Sequence, residues 1–70
     1  MVFKDYDYKI FYFFEQEWLE STDLTFNDFI KEKDLGISLI DVDHEHNSKY
    51  DIYEVTDEKK WTITRLKYAF

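Results

Sequence analysis

Carboxylates are the side chains whose type and spacing could do chemistry in this chain. The 70 residues include 16 Asp or Glu against nine Lys or Arg, which gives a net charge of −7. Residues 10–48 carry ten carboxylates and two lysines, whereas residues 1–9 and 49–70 are close to neutral. A fold that keeps this middle segment together would have one acidic side.

The spacing of these acids favours binding. Asp41, Asp43 and Glu45 stand two residues apart, so in an extended chain their carboxylates would project from one face about 6.7 Å apart. Similar distances separate successive phosphates of a DNA strand, so such a face could occupy a site that normally grips phosphates. The predicted partner-binding surface consists of nine acids: Glu15, Glu17, Glu20, Asp23, Asp28, Glu32, Asp41, Asp43 and Glu45.

No catalytic site is evident in the sequence. Ser21, Ser38 and Ser48 lack the glycine-flanked turn that presents a nucleophile, and the single glycine, Gly36, cannot build a glycine-rich phosphate loop. General acid and base pairs need a cleft that separates two pKa values, and a thin domain offers little room for one. We therefore expect a protein that is not an enzyme and has no cofactor.

Residues 41–46 crowd five potential metal ligands into six positions. A calcium loop beginning at Asp41 would need glycine and glutamate where His46 and Ile52 stand. His44 and His46 could hold zinc or nickel weakly from one side of a strand. A solvated hairpin tip has the same composition, so no metal site is predicted here.

The negative charge disfavours direct binding of nucleic acid, because phosphate contacts need a basic surface. The last segment differs, since no acid follows Glu58 and basic and aromatic residues are interleaved: Lys59, Lys60, Trp61, Arg65, Lys67 and Tyr68. That pattern resembles a nucleic-acid-binding strand. We expect these charges to balance a neighbouring acidic surface or a partner subunit instead.

Hydrophobic alternation predicts a first strand over Tyr6–Phe14, where every second residue is aromatic or isoleucine. Phe11 and Phe13 make the other face apolar as well. A helix from about Lys9 to Leu19 is therefore the competing interpretation.

A short helix of about ten residues is predicted to begin after Thr25, which can cap it with Asp28 three residues further on. Leu24 can pack onto Phe29 across this start. Gly36 is placed to end the helix in the left-handed conformation.

Three more strands are predicted, over Ile37–Val42, Tyr50–Val55 and Trp61–Tyr68, from their β-branched and aromatic content. The short polar connections His44–Ser48 and Thr56–Lys60 have hairpin length. The predicted fold is α+β, a four-stranded, mostly antiparallel sheet with one short helix in the order β-α-β-β-β. One helix covers one face of the sheet, so the other face is predicted to contact a second subunit.

Chain length predicts one domain over residues 1–70, with no disulfide because cysteine is absent. Fifteen aromatic residues exceed what so small an interior can hide, which favours a homodimer. The sequence has neither a run of about 18 apolar residues nor the features of a signal peptide, so we expect a cytoplasmic protein without membrane contact.

This layout of about 70 acidic, aromatic-rich residues without cysteine or proline resembles the small host-takeover proteins of bacteriophages. Several of those imitate DNA, and by size and charge the chain is most similar to the inhibitor of the bacterial nucleoid protein HU. The resemblance implies a competitive inhibitor whose carboxylates occupy the DNA-binding site of a basic host protein at the nucleoid. Association would be fast and sensitive to salt.

A different class of function fits the aromatic content. A small adaptor, assembly or antitoxin-like module would bind a protein partner through an aromatic surface, and that contact would tolerate salt. Trp18 and Trp61 are the candidates for such a surface, although a tryptophan in a strand more often belongs to the core.

Overall fold

The computed structural model describes residues 1–21 and 23–70, and in these the chain forms an α+β fold of three strands and three helices. The elements are β1 (Val2–Lys4), α1 (Ile10–Leu19), α2 (Phe26–Lys33), β2 (Ile37–Glu45), β3 (Ser48–Val55) and α3 (Glu58–Tyr68). The antiparallel sheet has the order β1-β3-β2. The α+β class is confirmed, whereas the four strands and single helix are wrong in detail.

The hairpin of β2 and β3 confirms the central part of the prediction. Both strands are longer than predicted, and only His46 and Asn47 connect them. Their φ angles of 49° and 67° are those of a two-residue turn with positive φ at both positions, which matches the right-handed twist of the flanking strands. This turn fixes the register from Glu45 opposite Ser48 onwards.

Helix α2 begins as predicted, because the Thr25 Oγ1 accepts the backbone N–H of Asp28 at 3.1 Å. It ends earlier than predicted, since Asp34 rather than Gly36 adopts the left-handed conformation at its end, with φ of 56°. Gly36, with φ of 83°, allows close approach to α3. A Cβ there would lie 2.5 Å from the Asp57 carbonyl oxygen and 2.6 Å from the Trp61 nitrogen.

The strand predicted over Tyr6–Phe14 is wrong, and the competing helical interpretation is right. Ile10 and Phe14, four residues apart, are buried on one side of α1. Phe11 packs beside them onto Phe26 of α2, with ring centroids 4.9 Å apart. The alternation came from surplus aromatics, which a helix distributes between the core and the surface.

The strand predicted over Trp61–Tyr68 is also wrong, because this segment is α3. The Asp57 carboxylate accepts the N–H of Lys60 at 3.0 Å and so caps a helix where a hairpin was expected. Trp61 and Thr64, three residues apart, are buried on the same side. The β-branched residues of this segment suggested a strand, but the cap and the core contacts outweigh that weak preference.

Asp5 organises the connection between β1 and α1. Its buried carboxylate accepts backbone N–H groups of Tyr8, Lys9 and Ile10 at 3.0, 2.9 and 2.7 Å. Lys9 precedes the helix with φ of 52° and has no side-chain cap of its own. Asp5 therefore stabilises a conformation that a lysine rarely adopts, and this starts α1 at Ile10.

The core lies between one face of the sheet and the helices. Phe3 of β1 stacks against Tyr53 of β3 and Trp61 of α3, with centroids 5.7 Å away in both cases. The other buried apolar residues come from α1, α2, the connection after α2 and the two long strands: Ile10, Phe14, Phe26, Phe29, Ile30, Leu35, Ile37 and Val55. The opposite face, called the open face below, has no helix over it among residues 1–21 and 23–70.

Replacing Asp5 tests its role as the link between β1 and α1. Asp5→Ala leaves three N–H groups without their acceptor, one of them buried, and we expect it to lower the free energy of unfolding by about 2–4 kcal/mol in urea denaturation. Asp5→Asn keeps one acceptor oxygen and should lose less. Asp7→Ala, at an exposed position two residues away, is the control, and an equal loss there would contradict the assignment.

Candidate functional site

The open face carries the acids of β2. Asp41, Asp43 and Glu45 lie opposite Ile52, Tyr50 and Ser48 of β3, so all three project from the same side. This agrees with the spacing noted in the sequence.

A β-bulge at Ile40 decides which side they project from. Ile37 and Leu39 face the core, and residues of the same parity would normally follow them inward. The register shifts between Leu39 and Asp41, which turns the acids outward. In a regular strand of the same sequence, without the bulge, the three carboxylates would lie on the core side.

Lys4 of β1 lies among these acids. Its Nζ is 2.7 Å from the Asp43 Oδ2 and 3.1 Å from the Glu45 Oε2, and the Tyr6 hydroxyl donates to the same Glu45 oxygen at 3.0 Å. The hydrogen bonds from Lys4 lower the pKa of Asp43 and Glu45, while those two acids raise the pKa of Lys4. All three side chains are therefore charged at neutral pH.

Two of the acids also lie along the outer edge of β2, which is one of the two edge strands of the sheet. The Asp41 Oδ1 accepts the N–H of Val42, and the Asp43 Oδ1 accepts the N–H of His44, both at 2.8 Å. Alternate residues of an edge strand direct their N–H groups away from the neighbouring strand. The side chains thus satisfy donors that could otherwise pair with a strand of another chain.

Glu54 of β3 is a fourth acid of the open face, and it was absent from the predicted site. It lies between Val2 of β1 and Ser38 of β2 and is exposed. Its position follows from the predicted strand Tyr50–Val55, because alternation places it on the opposite face from Tyr53 and Val55. This alternation could have identified Glu54 from the sequence, but the nearly neutral total charge of residues 49–70 drew no attention to it.

The remaining predicted acids lie on the helical side of the molecule. They occupy α1, α2 and the connection between these helices: Glu15, Glu17, Glu20, Asp23, Asp28 and Glu32. Glu17 is paired with Lys33 of α2, with 2.8 Å between its Oε1 and the Nζ. The structure therefore brings three of the nine predicted acids together on the open face and places six elsewhere.

An apolar groove of about 420 Å³ lies between the helices and the part of the hairpin nearest its turn. Five apolar side chains line it: Phe11, Trp18, Phe26, Leu39 and Val42. Asp51 adds a half-buried carboxylate, and its partial removal from water raises its pKa. The charge of Lys49 and the Tyr53 hydroxyl, which donates to the Asp51 Oδ2 at 3.4 Å, lower this pKa in part. The sequence did not reveal this groove, because it forms between elements distant along the chain.

The histidines of the hairpin lie at the tip of the molecule. His44 is opposite Lys49 near the end of β2, and His46 is in the turn. Within residues 1–21 and 23–70, no three His, Asp or Glu side chains are arranged to hold a metal ion.

No protein-family model, curated protein sequence or solved structure gives a significant match to this chain. The resemblance to phage inhibitors thus stays a prediction from sequence character. In the described part of the chain, none of the helices is long and apolar enough to cross a lipid bilayer.

The raised pKa of Asp51 predicts a pH-dependent cost to stability. Since the native state holds the proton more tightly than the unfolded chain, the contribution of Asp51 becomes less favourable as the pH rises through its folded pKa. We expect Asp51→Asn to raise the melting temperature at pH 7 and to bring less gain at about pH 4. Thermal unfolding at both values measures this, with Glu54→Gln on the same strand as the control for loss of one charge. An equal gain from the control would contradict the prediction.

Proposed function

We propose that this protein is a non-enzymatic inhibitor that imitates DNA and blocks the DNA-binding surface of a basic host protein, such as the nucleoid protein HU. It would act in the cytoplasm of a bacterial host, at the nucleoid. The observation that carries the proposal is the register of the sheet, which assembles Asp41, Asp43, Glu45 and Glu54 on the open face.

The spacing of these acids supports a role as phosphate substitutes. Successive acids of β2 are about 6.7 Å apart along the strand, and neighbouring strands are separated by about 4.8 Å. The acids are attached to a hydrogen-bonded sheet, so little backbone freedom is lost when a partner binds. Lysines and arginines that normally hold phosphates could pair with them without rearrangement of the fold.

Lys4 divides the face into two kinds of acid. Asp43 and Glu45 are held by its ammonium group, which fixes their positions and offsets part of their charge. Asp41 and Glu54 form no ion pair within residues 1–21 and 23–70, so they are the acids most available to an incoming cation. The six acids on the helical side would act over distance, increasing the rate of encounter with a basic partner.

Charge reversal separates contact from long-range attraction. We expect Asp41→Lys with Glu54→Lys to weaken capture of a basic DNA-binding protein from bacterial lysate at least about tenfold, because contact pairs turn repulsive. Glu20→Lys with Glu32→Lys changes the net charge equally from exposed helical positions and should have a smaller effect. The measurement is a nuclease-treated pull-down at about 50 mM and about 500 mM salt, with circular dichroism to verify folding.

The two pairs of variants give distinct outcomes. Loss of capture only with the sheet pair, and loss of wild-type capture at high salt, would support imitation of DNA. Equal effects of the two pairs would reject the open face as the contact, and a partner unrelated to DNA would reject the proposed target.

A second candidate function is supported by exposed apolar side chains of α1. Tyr12 is 74% exposed, Phe13 50% and Leu19 63%, and Tyr12 and Leu19 lie about two turns apart on the same side of the helix. A small adaptor or antitoxin-like protein could use such a side to bind a partner. The tryptophans suit this role less, because Trp61 is buried and the Trp18 indole donates to the Leu24 carbonyl at 2.8 Å.

Substitution on α1 tests that candidate. If α1 carries the contact, Tyr12→Ser with Leu19→Ser should abolish capture of a partner that survives about 500 mM salt, because apolar burial is insensitive to screening. Thr62→Ala with Lys31→Ala, at exposed positions of α3 and α2, provides a control. Capture unaffected by the α1 pair would discard this function.

A further inference from the structure

The basic charge of helix α3 has no role in a protein that binds its partner through an acidic face. The helix contains four basic residues and one acid, which gives it a charge of +3, whereas the whole chain has −7. Its inner side is fixed by Trp61 and Thr64, both buried, and the Thr64 hydroxyl donates to the Leu35 carbonyl at 3.0 Å. Its outer side is therefore directed away from the sheet and into solvent.

That outer side combines apolar and basic residues. Ile63 is 55% exposed and Leu66 is 79% exposed, and they lie three residues apart on the same side. Lys59, Arg65 and Lys67 surround them and form no ion pair within the part of the chain described, in contrast to the fourth base of the helix, which binds Asp34. An apolar pair surrounded by free cations is typical of a docking surface for an acidic partner.

We infer that this side of α3 docks on the open face of a second copy of the chain. The open face has the complementary pattern, with apolar residues among acids. Val2 and Ile40 are exposed there and Ile52 is half-buried, beside the unpaired carboxylates of Asp41 and Glu54. Four acids and Lys4 give this face a charge of −3, which equals the charge of α3 in magnitude.

The positions of the two surfaces determine the form of the assembly. Helix α3 packs on the core face of the sheet through Trp61 and Phe3, so its outer side and the open face are on opposite sides of the molecule. Two copies cannot exchange these surfaces reciprocally, and the contact must be head to tail. Each copy then receives the helix that its sheet lacks on one face and offers α3 to the next copy.

Pairing of copies through the β2 edge is disfavoured, which favours docking through the open face. The outward N–H groups of Val42 and His44 are already occupied by Asp41 and Asp43. Charge pairs exposed at a surface contribute little individually, so the contact is weak, depends on concentration and dissociates in salt. Because it uses the open face, a target protein and a second copy would exclude each other.

Exchange of charges between the two surfaces tests the inference without any target protein. Sedimentation equilibrium at about 50 mM salt should show a mean mass that rises above the 8.7 kDa chain as concentration approaches about 1 mM. Lys59→Glu with Arg65→Glu, and separately Asp41→Lys with Glu54→Lys, should each increase the dissociation constant at least about tenfold. An equimolar mixture of these two variants should associate again, because each then presents charges opposite to those of the other.

Two controls make the result specific. Glu20→Lys with Glu32→Lys should associate as well as the wild type or better, since it alters neither surface and reduces the net repulsion between copies. Leu66→Ser should weaken association at low and intermediate salt without loss of fold, because this leucine contacts mainly water in the isolated chain.

The same measurements define what would overturn the inference. A wild-type chain that stays at its monomer mass at about 1 mM, or a mixture of the two charge variants that fails to associate, rejects docking between copies. Retention of the wild type on duplex DNA that is lost with Lys59→Glu and Arg65→Glu, while self-association is unchanged, would assign α3 to nucleic acid instead. The sedimentation experiment contains no target protein, so a negative result would reject self-association only. The proposed inhibition of a DNA-binding protein is tested separately by the pull-down.

Discussion

The buried carboxylate of Asp5 is the constraint on which the arrangement of this fold depends. Its oxygens accept three consecutive N–H groups at the start of α1, while its own N–H donates to the Asp51 carbonyl in β3 at 2.9 Å. One residue therefore ties the beginning of α1 to the sheet. The position of α1 in turn places its aromatic side chains over α2 and α3, where most of the core is made.

The acids of β2 illustrate how structural and binding requirements can be met by the same groups. Both oxygens of Asp43 have partners within the chain, one in the backbone of His44 and the other in Lys4. Such a side chain would be retained for the stability of the edge even if nothing bound to it. Asp41, by contrast, uses only one oxygen in this way, which leaves the other for a partner.

Local signals in the sequence predicted the hairpin and α2 because each is specified by neighbouring residues. Thr25 with Asp28 is a self-contained cap, and the alternation in Tyr50–Val55 directly reports one buried face. The predictions of the first and last strands were wrong because the residues that determine the structure of these two segments lie outside them. Asp5 starts α1 from five residues before it, and α3 is placed by contacts with Phe3 and Leu35.

The candidate site was predictable in part for the same reason. The two-residue spacing of the acids in β2 was visible, but their outward direction depends on the bulge at Ile40, which no simple periodicity contains. Lys4 and Glu54 join the face only through pairing of strands far apart in sequence. The charge summed along the chain also combines the acids of the helices with those of the sheet, although the fold places the two groups on different sides.

The pairing of β1 with β3 has a consequence for how the chain reaches this structure. Phe3 is matched with Tyr53, so the two strands are separated by about 50 residues that include both α1 and α2. During synthesis, β1 and the aromatic segment after it are made long before the strand with which β1 pairs. Pairing of β1 with β3 therefore closes a long loop, whose entropy cost must be met before the contacts between the two strands stabilise the fold. Because Trp61 of α3 also stacks on Phe3, the aromatic surroundings of β1 are complete only when α3 has been made as well.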